Sequence, residues 1–345
     1  MILKYSLLSL TVILILSRFL FADEDWIKET IDESINTKFA RAEEAIHEQF
    51  ALGDSGAAVY FYNASILNSK MTHFENDDDV QEFTEAIDKV NTICTETLTG
   101  SNTLTAQKKA RLYFYRGSAL GYLAYYQGTH SEWFKALDNG LASINDLEEA
   151  IALDSTLYDA YLGIGVYKYW RSTKFKYVLW LPFVPDMREE GIAYIKKAAE
   201  KGKYSSSMAM HQLIYILLDY GKYDEAIPYA EEIVQRYPDS QFMWWAYAHV
   251  YFKRHEYKEA VDAYKRLLIL IENDPNSNPN HWIFCNVRLA EILYRMGEYK
   301  SSISFADKVL KKKFATELSD KSREKIKQAK ELIDESQKIL ANKSR

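Results

Sequence analysis

Apolar residues recur at three- and four-residue steps along nearly the whole chain, which predicts helices rather than strands. The most regular stretch runs from Ser207 to Asp274. There the apolar run MAMHQLIYILL leads to Gly221, and Tyr223, Ala226 and Ala230 follow. His255, Tyr257, Ala260 and Tyr264 stand in the same order 34 residues later. A fixed period of that length predicts stacked helix–turn–helix units.

The same patterning predicts helices on either side. Glu24 to Phe50 carries an apolar stripe of Ile27, Ile31, Ile35, Phe39 and Ala42, and is expected as one capping helix. After the turn Leu52–Gly56, helices are expected from Gly56 to Lys70 and from Asp78 to Leu98. A second unit carries ALGYLAYYQG, Ala119 to Gly128, with Gly128 expected as the left-handed helix stop. An insertion, THSEWFKALDN, then precedes a helix expected from Gly140 to Leu153. A third unit, Asp154 to Trp170, is followed by a second insertion, Arg171 to Asp186, and by the helix MREEGIAYIKKAAEKG. A sixth unit repeats the pattern as Gly297, Tyr299 and Ala306, and a charged helix from Asp320 to Leu340 closes the chain.

The glycine–tyrosine pair, the small alanine after it and Pro238 at a repeat end resemble the tetratricopeptide repeat (TPR) pattern. So do the pairs Leu120-Gly121 and Ile164-Gly165. The resemblance implies an all-α superhelix, a solenoid of about six helix pairs. The array would cover residues 57–316, preceded by a helix and turn over 23–56 and closed by a capping helix over 317–345. It also implies that the first helix of each pair lines a concave groove. In that register the groove residues are Tyr122, Tyr126, Tyr169, Trp170, His211, Tyr215, Trp245, His249, Phe252 and Tyr294, accompanied by Phe242, Phe284 and Glu291. Aromatic residues dominate interface energetics, so the groove reads as a site for a protein or peptide. The alternative for these aromatics is burial in the seams between helices. The Lys and Asn constellation with which some TPR domains hold a C-terminal carboxylate is absent, since His211, Tyr215, Trp245 and His249 stand there. The second insertion resembles, more weakly, a divergent TPR family of the outer mitochondrial membrane.

Composition changes this picture little. The 345 residues include 26 tyrosines, a residue suited to half-buried helix seams. The formal charge of -6 argues against a nucleic-acid partner. Cys94 and Cys285 are expected as buried thiols. Lys4, the apolar run Tyr5–Leu16 and Ala22 before an acidic stretch have the layout of a signal peptide, residues 1–22. This predicts export to a periplasm or beyond, or else an N-terminal membrane anchor. No catalytic, cofactor or metal site is expected. The seven histidines are scattered, and Asp186, Glu189 and Glu190 are expected to serve the start of a helix.

Three functions are compatible with these features. The first is a non-catalytic envelope scaffold gripping a protein or peptide in the aromatic groove. The second is a binder of small apolar or amphipathic ligands for envelope transport. The third is a structural subunit docking through the 171–186 loop, with Trp180, Leu181 and Phe183 as a peripheral membrane contact.

Overall fold

The computed structural model describes residues 25–101, 103–174, 185–314 and 318–343. The proposed signal segment, and Trp180, Leu181 and Phe183, lie outside the described residues. Among the described residues there are 15 helices and no strand. They fall into two compact units, divided between Ser206 and Ser207.

The first unit contains α1 (Asp25–Ile35), α2 (Phe39–Ala51), α3 (Ala57–Phe74), α4 (Val80–Gly100), α5 (Ala106–Thr129), α6 (Trp133–Leu153), α7 (Ala160–Lys174) and α8 (Arg188–Lys201). The second contains α9 (Ser206–Asp219), α10 (Tyr223–Arg236), α11 (Gln241–Lys253), α12 (Tyr257–Asn273), α13 (Pro279–Arg295), α14 (Tyr299–Lys311) and α15 (Asp320–Lys343). The helices α3 to α14 form the six expected pairs, with α1 and α2 before them and α15 after.

One hydrogen-bonded stop ends helix after helix. At Thr37, Gly53, Glu75, Ser131, Gly221, His255 and Gly297 the backbone turns left-handed, with φ between 53° and 86°. At each, the next residue's amide donates to the carbonyl five residues back, as from Lys222 to Leu217, from Glu256 to Tyr251 and from Glu298 to Leu293. This bond satisfies a carbonyl that the ending helix would otherwise leave free. Gly221 fits the position without a side chain to strain, whereas His255 holds it as a non-glycine and places Nδ1 2.8 Å from the Tyr257 hydroxyl.

Two expectations are corrected by these stops. The single helix expected from Glu24 to Phe50 is two, broken at Thr37. Trp26, Ile27 and Ile35 on α1 and Phe39, Ala42 and Ile46 on α2 are all buried. A straight helix of that length would span about 40 Å, longer than the roughly 27 Å of α3 beneath it, and would leave one apolar end in water. The helix expected to begin at Gly140 begins at Trp133, because the stop lies at Ser131 while Gly128 continues α5. The lengthened α6 leaves Trp133, Phe134, Leu137 and Leu141 exposed.

Small residues set the helix spacing. A Cβ on Gly165 would lie 2.7 Å from the Gly191 carbonyl oxygen, and one on Gly191 would lie 2.7 Å from the Gly165 carbonyl oxygen. Thus α7 and α8 cross backbone to backbone. The repeat alanines Ala226, Ala230, Ala260 and Ala306 are fully buried. The terminal α15 packs on α14 and α13 through Ala329 and Leu332 and turns its charged residues outward. Cys94 and Cys285 are buried thiols, and Cys285 donates to the Tyr264 carbonyl.

Candidate functional site

In the second unit, α9, α11 and α13 are the first helices of three successive pairs. Helical spacing places His211 and Tyr215 on one face of α9. It does the same for Phe242, Trp245, His249 and Phe252 on α11, and for His281, Phe284, Arg288 and Glu291 on α13. These faces meet. His211 stacks on Phe242 with ring centroids 3.8 Å apart. Tyr215 stacks on His249 at 5.9 Å, and His249 on Phe252 at 6.2 Å. The Arg288 guanidinium lies over the Phe252 ring at 4.2 Å. Trp245 stands edge-on to Tyr264 at 5.9 Å and to His281 at 6.1 Å.

The rings leave a cavity of about 130 Å³. Tyr215, Trp245, His249, Tyr264 and Phe284 form its apolar wall, and Arg288, Glu291 and Lys325 its charged side. Arg288 donates to Glu291 at 2.9 Å, and Arg295 donates to the same carboxylate at 2.7 Å. One carboxylate is therefore shared by two guanidinium groups, and Lys325 adds a further positive charge. Burial pushes the Tyr215 hydroxyl up to about 12. It pushes His249 down to about 4, with Arg288 and Lys253 adding to the effect, so that ring is neutral at pH 7. His211 is only 5% exposed, and neither ring nitrogen has a hydrogen-bond partner. Burial alone drives it down to about 3.

Of the residues expected to form the groove, Tyr215, Trp245 and His249 line this cavity, and His211 and Phe252 adjoin it by stacking. Tyr294 faces elsewhere, edge-on to Tyr299 at 5.6 Å. The remaining four lie in the first unit. Tyr122 stacks on Phe61 and shares a hydrogen bond with Ser65, while Tyr126 stacks on His130 at 4.1 Å. Trp170 stands edge-on to Tyr169 at 5.2 Å. Tyr169 is fully buried, so it presents no groove surface: the glycine crossing of α7 and α8 draws it into the seam.

Tyr264, Arg288 and Lys325 are not among the residues that the sequence pattern points to. Tyr264 belongs to a second helix, whose side chains are expected in the seam. Lys325 belongs to the terminal helix, whose pattern reads only as a cap. Arg288 is four residues after Phe284 and is recoverable from that spacing. In the first unit, the carboxylates beside the second insertion serve structure. Asp186 accepts from the amide and guanidinium of Arg188, which hold its carboxyl below the usual range, and Glu190 accepts from Lys168 at 2.7 Å. The N-cap of α8 is Met187, one residue after Asp186. Asp159, just before α7, accepts from the amides of Tyr204 and Ser205. Among the described residues no group of three or more potential metal ligands occurs.

Paired helices, a recurring left-handed stop and small closing alanines define a helical-repeat protein. The particular kind is the tetratricopeptide repeat: residues 211–278 match that family, so the chain carries TPR repeats there. Such repeats generally serve as non-catalytic platforms for protein–protein contact. No curated protein matches the chain. Among solved structures it is similar to PilW, described as a type IV pilus biogenesis factor, at 11% identity over 71% of this chain and 91% of that one, with a TM-score of 0.46. It is also similar to the C-terminal part of a TPR repeat-containing protein from Cytophaga hutchinsonii, at 14% identity over 87% and 99%, TM-score 0.46. A TPR protein from Parabacteroides merdae gives 14% identity over 89% and 98%, TM-score 0.38. At such scores these likenesses say nothing about function.

Proposed function

We propose that the chain is a non-catalytic scaffold that grips a segment of a protein partner in the aromatic cavity of the second unit. The observation that carries this reading is the convergence of Tyr215, Trp245, His249 and Phe284 from three repeat helices around unfilled space. Side chains packed only against one another would close it. Its size also bears on the choice between a peptide and a small ligand. Small-molecule pockets typically hold about 300–1,000 Å³, whereas this cavity of about 130 Å³ matches a single side chain. A photoreactive benzoylphenylalanine replacing Phe284 tests the reading in the native host. It should cross-link to one discrete protein, while the same group replacing the exposed Lys265 should not. Equal labelling from both positions would defeat it.

The layout of residues 1–22 supports export, and with it an envelope location. No helix among the described residues is long and apolar enough to cross a membrane. N-terminal sequencing of the protein from its host should begin at Asp23; an intact Met1 would refute cleavage.

A further inference from the structure

We infer that the cavity is an anchor pocket for one aliphatic or phenyl side chain of an internal partner segment, and that an acidic side chain next to that anchor meets Arg288 and Lys325. This rests on the proposed function and specifies its ligand. Two observations carry it, the size of the cavity and the charge around it.

The volume of about 130 Å³ is close to that of cavities of about 150 Å³ that admit benzene. Leu, Ile, Met and Phe side chains fit that space. Ala leaves most of it empty, and Trp exceeds it. Five of the eight lining residues are aromatic, so the group entering the cavity exchanges water largely for ring surface.

The rim is positive although the chain as a whole is negative. Arg288 and Arg295 share the single carboxylate of Glu291, and Lys325 lines the same cavity. Arg288 spends one nitrogen, Nη1, on Glu291, and its plane is held over Phe252. Lys325 donates to Gln328 at 2.7 Å on its own helix, a neutral partner that leaves its charge uncompensated. Both cations line the cavity, Arg288 from α13 and Lys325 from α15. An acidic residue flanking the anchor therefore meets two donors, whereas a basic one meets like charge. The lining contains no Asn or Gln to supply the neutral amide donors that would help enclose a terminal carboxylate. The acid is accordingly assigned to a side chain rather than to a chain end.

The test is selection from a phage-displayed library of random 12-residue peptides, fused so that no free C-terminus is required, against the full chain. The expected consensus is Leu, Ile, Met or Phe within two residues of Asp or Glu. Replacing the anchor by Ala in a selected peptide should weaken binding by roughly 50-fold, the loss of about three buried carbons. Arg288→Gln should weaken it several-fold while the melting temperature stays at the parental value. The preference for Asp or Glu should shrink as salt rises from about 0.1 M to about 1 M, where the Debye length contracts to about 3 Å. Peptides whose affinity falls with Trp245→Leu but which lack an acidic consensus, or need a free terminal carboxylate, would overturn this inference and leave the binding reading standing. Peptides indifferent to both Trp245→Leu and His249→Trp, or failure to select any, would overturn the binding reading itself. Two variants are used because Trp245→Leu removes a ring from the cavity wall, whereas His249→Trp fills the cavity.

Discussion

His211 is a buried ring whose removal should stabilise the protein, and by more in acid. It is 5% exposed, stacked on Phe242 at 3.8 Å, and both nitrogens lack partners. In the unfolded chain it titrates near 6.5, while burial lowers it to about 3 in the folded one. Above pH 6.5 both states are neutral and nothing is lost. Below it the unfolded chain takes up a proton that the folded chain refuses, so stability falls as pH drops from 6.5 toward 3. At pH 5 the loss amounts to about 2 kcal/mol (roughly 1.4 kcal/mol for each of the 1.5 pH units below 6.5). His211→Phe abolishes this term. It also removes two unsatisfied polar atoms, for which about 1 kcal/mol at neutral pH is expected after the cost of one extra ring carbon. Urea unfolding followed by tryptophan fluorescence, reporting Trp244, Trp245 and Trp282, measures both. The variant should exceed the parent by about 1 kcal/mol at pH 7.5 and about 3 kcal/mol at pH 5. His249 and His281, also lowered, remain in both proteins and cancel. A stability difference that does not change with pH would refute the reasoning.

Other perturbations probe the fold. Gly191→Ala places a methyl 2.7 Å from the Gly165 carbonyl oxygen, where backbone cannot yield. The expected overpacking cost of about 1–3 kcal/mol exceeds the roughly 1 kcal/mol gained in helix propensity, so thermal unfolding should show a net loss. Ala260→Leu, at a fully buried repeat position, should destabilise by a similar cost of about 1–3 kcal/mol in chemical denaturation, and a parental midpoint would mean the repeat register is wrong. His255→Gly relieves a left-handed non-glycine at a helix stop and loses only an exposed contact with Tyr257, so urea stability should stay within about 1 kcal/mol of the parent.

The repeats are legible where local chemistry and tertiary role coincide. Gly221 and Gly297 mark their turns in the sequence, and Ala226, Ala260 and Ala306 mark the closest helix approaches. The stops at Thr37, Glu75 and Ser131 carry no such mark, since a hydrogen-bonded turn imposed by packing drives ordinary residues left-handed, while His255 is marked only by its spacing from Gly221. That is why the pattern hides the break in the N-terminal helix and suggests a late start for α6. The site divides in the same way. Tyr215, Trp245 and His249 follow from repeat position, because one helical face recurs in each unit. Tyr264 and Lys325 do not, because they reach the cavity from a second helix and from the terminal helix, and only three-dimensional packing brings those to the same place. Tyr169 shows the converse. Its repeat position predicts a groove residue, but Gly165 and Gly191 let the helices close over it.

The central claim is that a partner segment enters the cavity between α9, α11 and α13. Tryptophan indole N–H resonances test it most directly, since the chain has seven tryptophans and, among the described ones, Trp245 alone lines the cavity. Titrating a selected peptide into the full chain should shift the Trp245 indole signal, assigned by its loss in Trp245→Leu, while those of Trp26, Trp133 and Trp170 stay in place. A saturating peptide that leaves Trp245 unmoved and shifts one of the others would contradict the account.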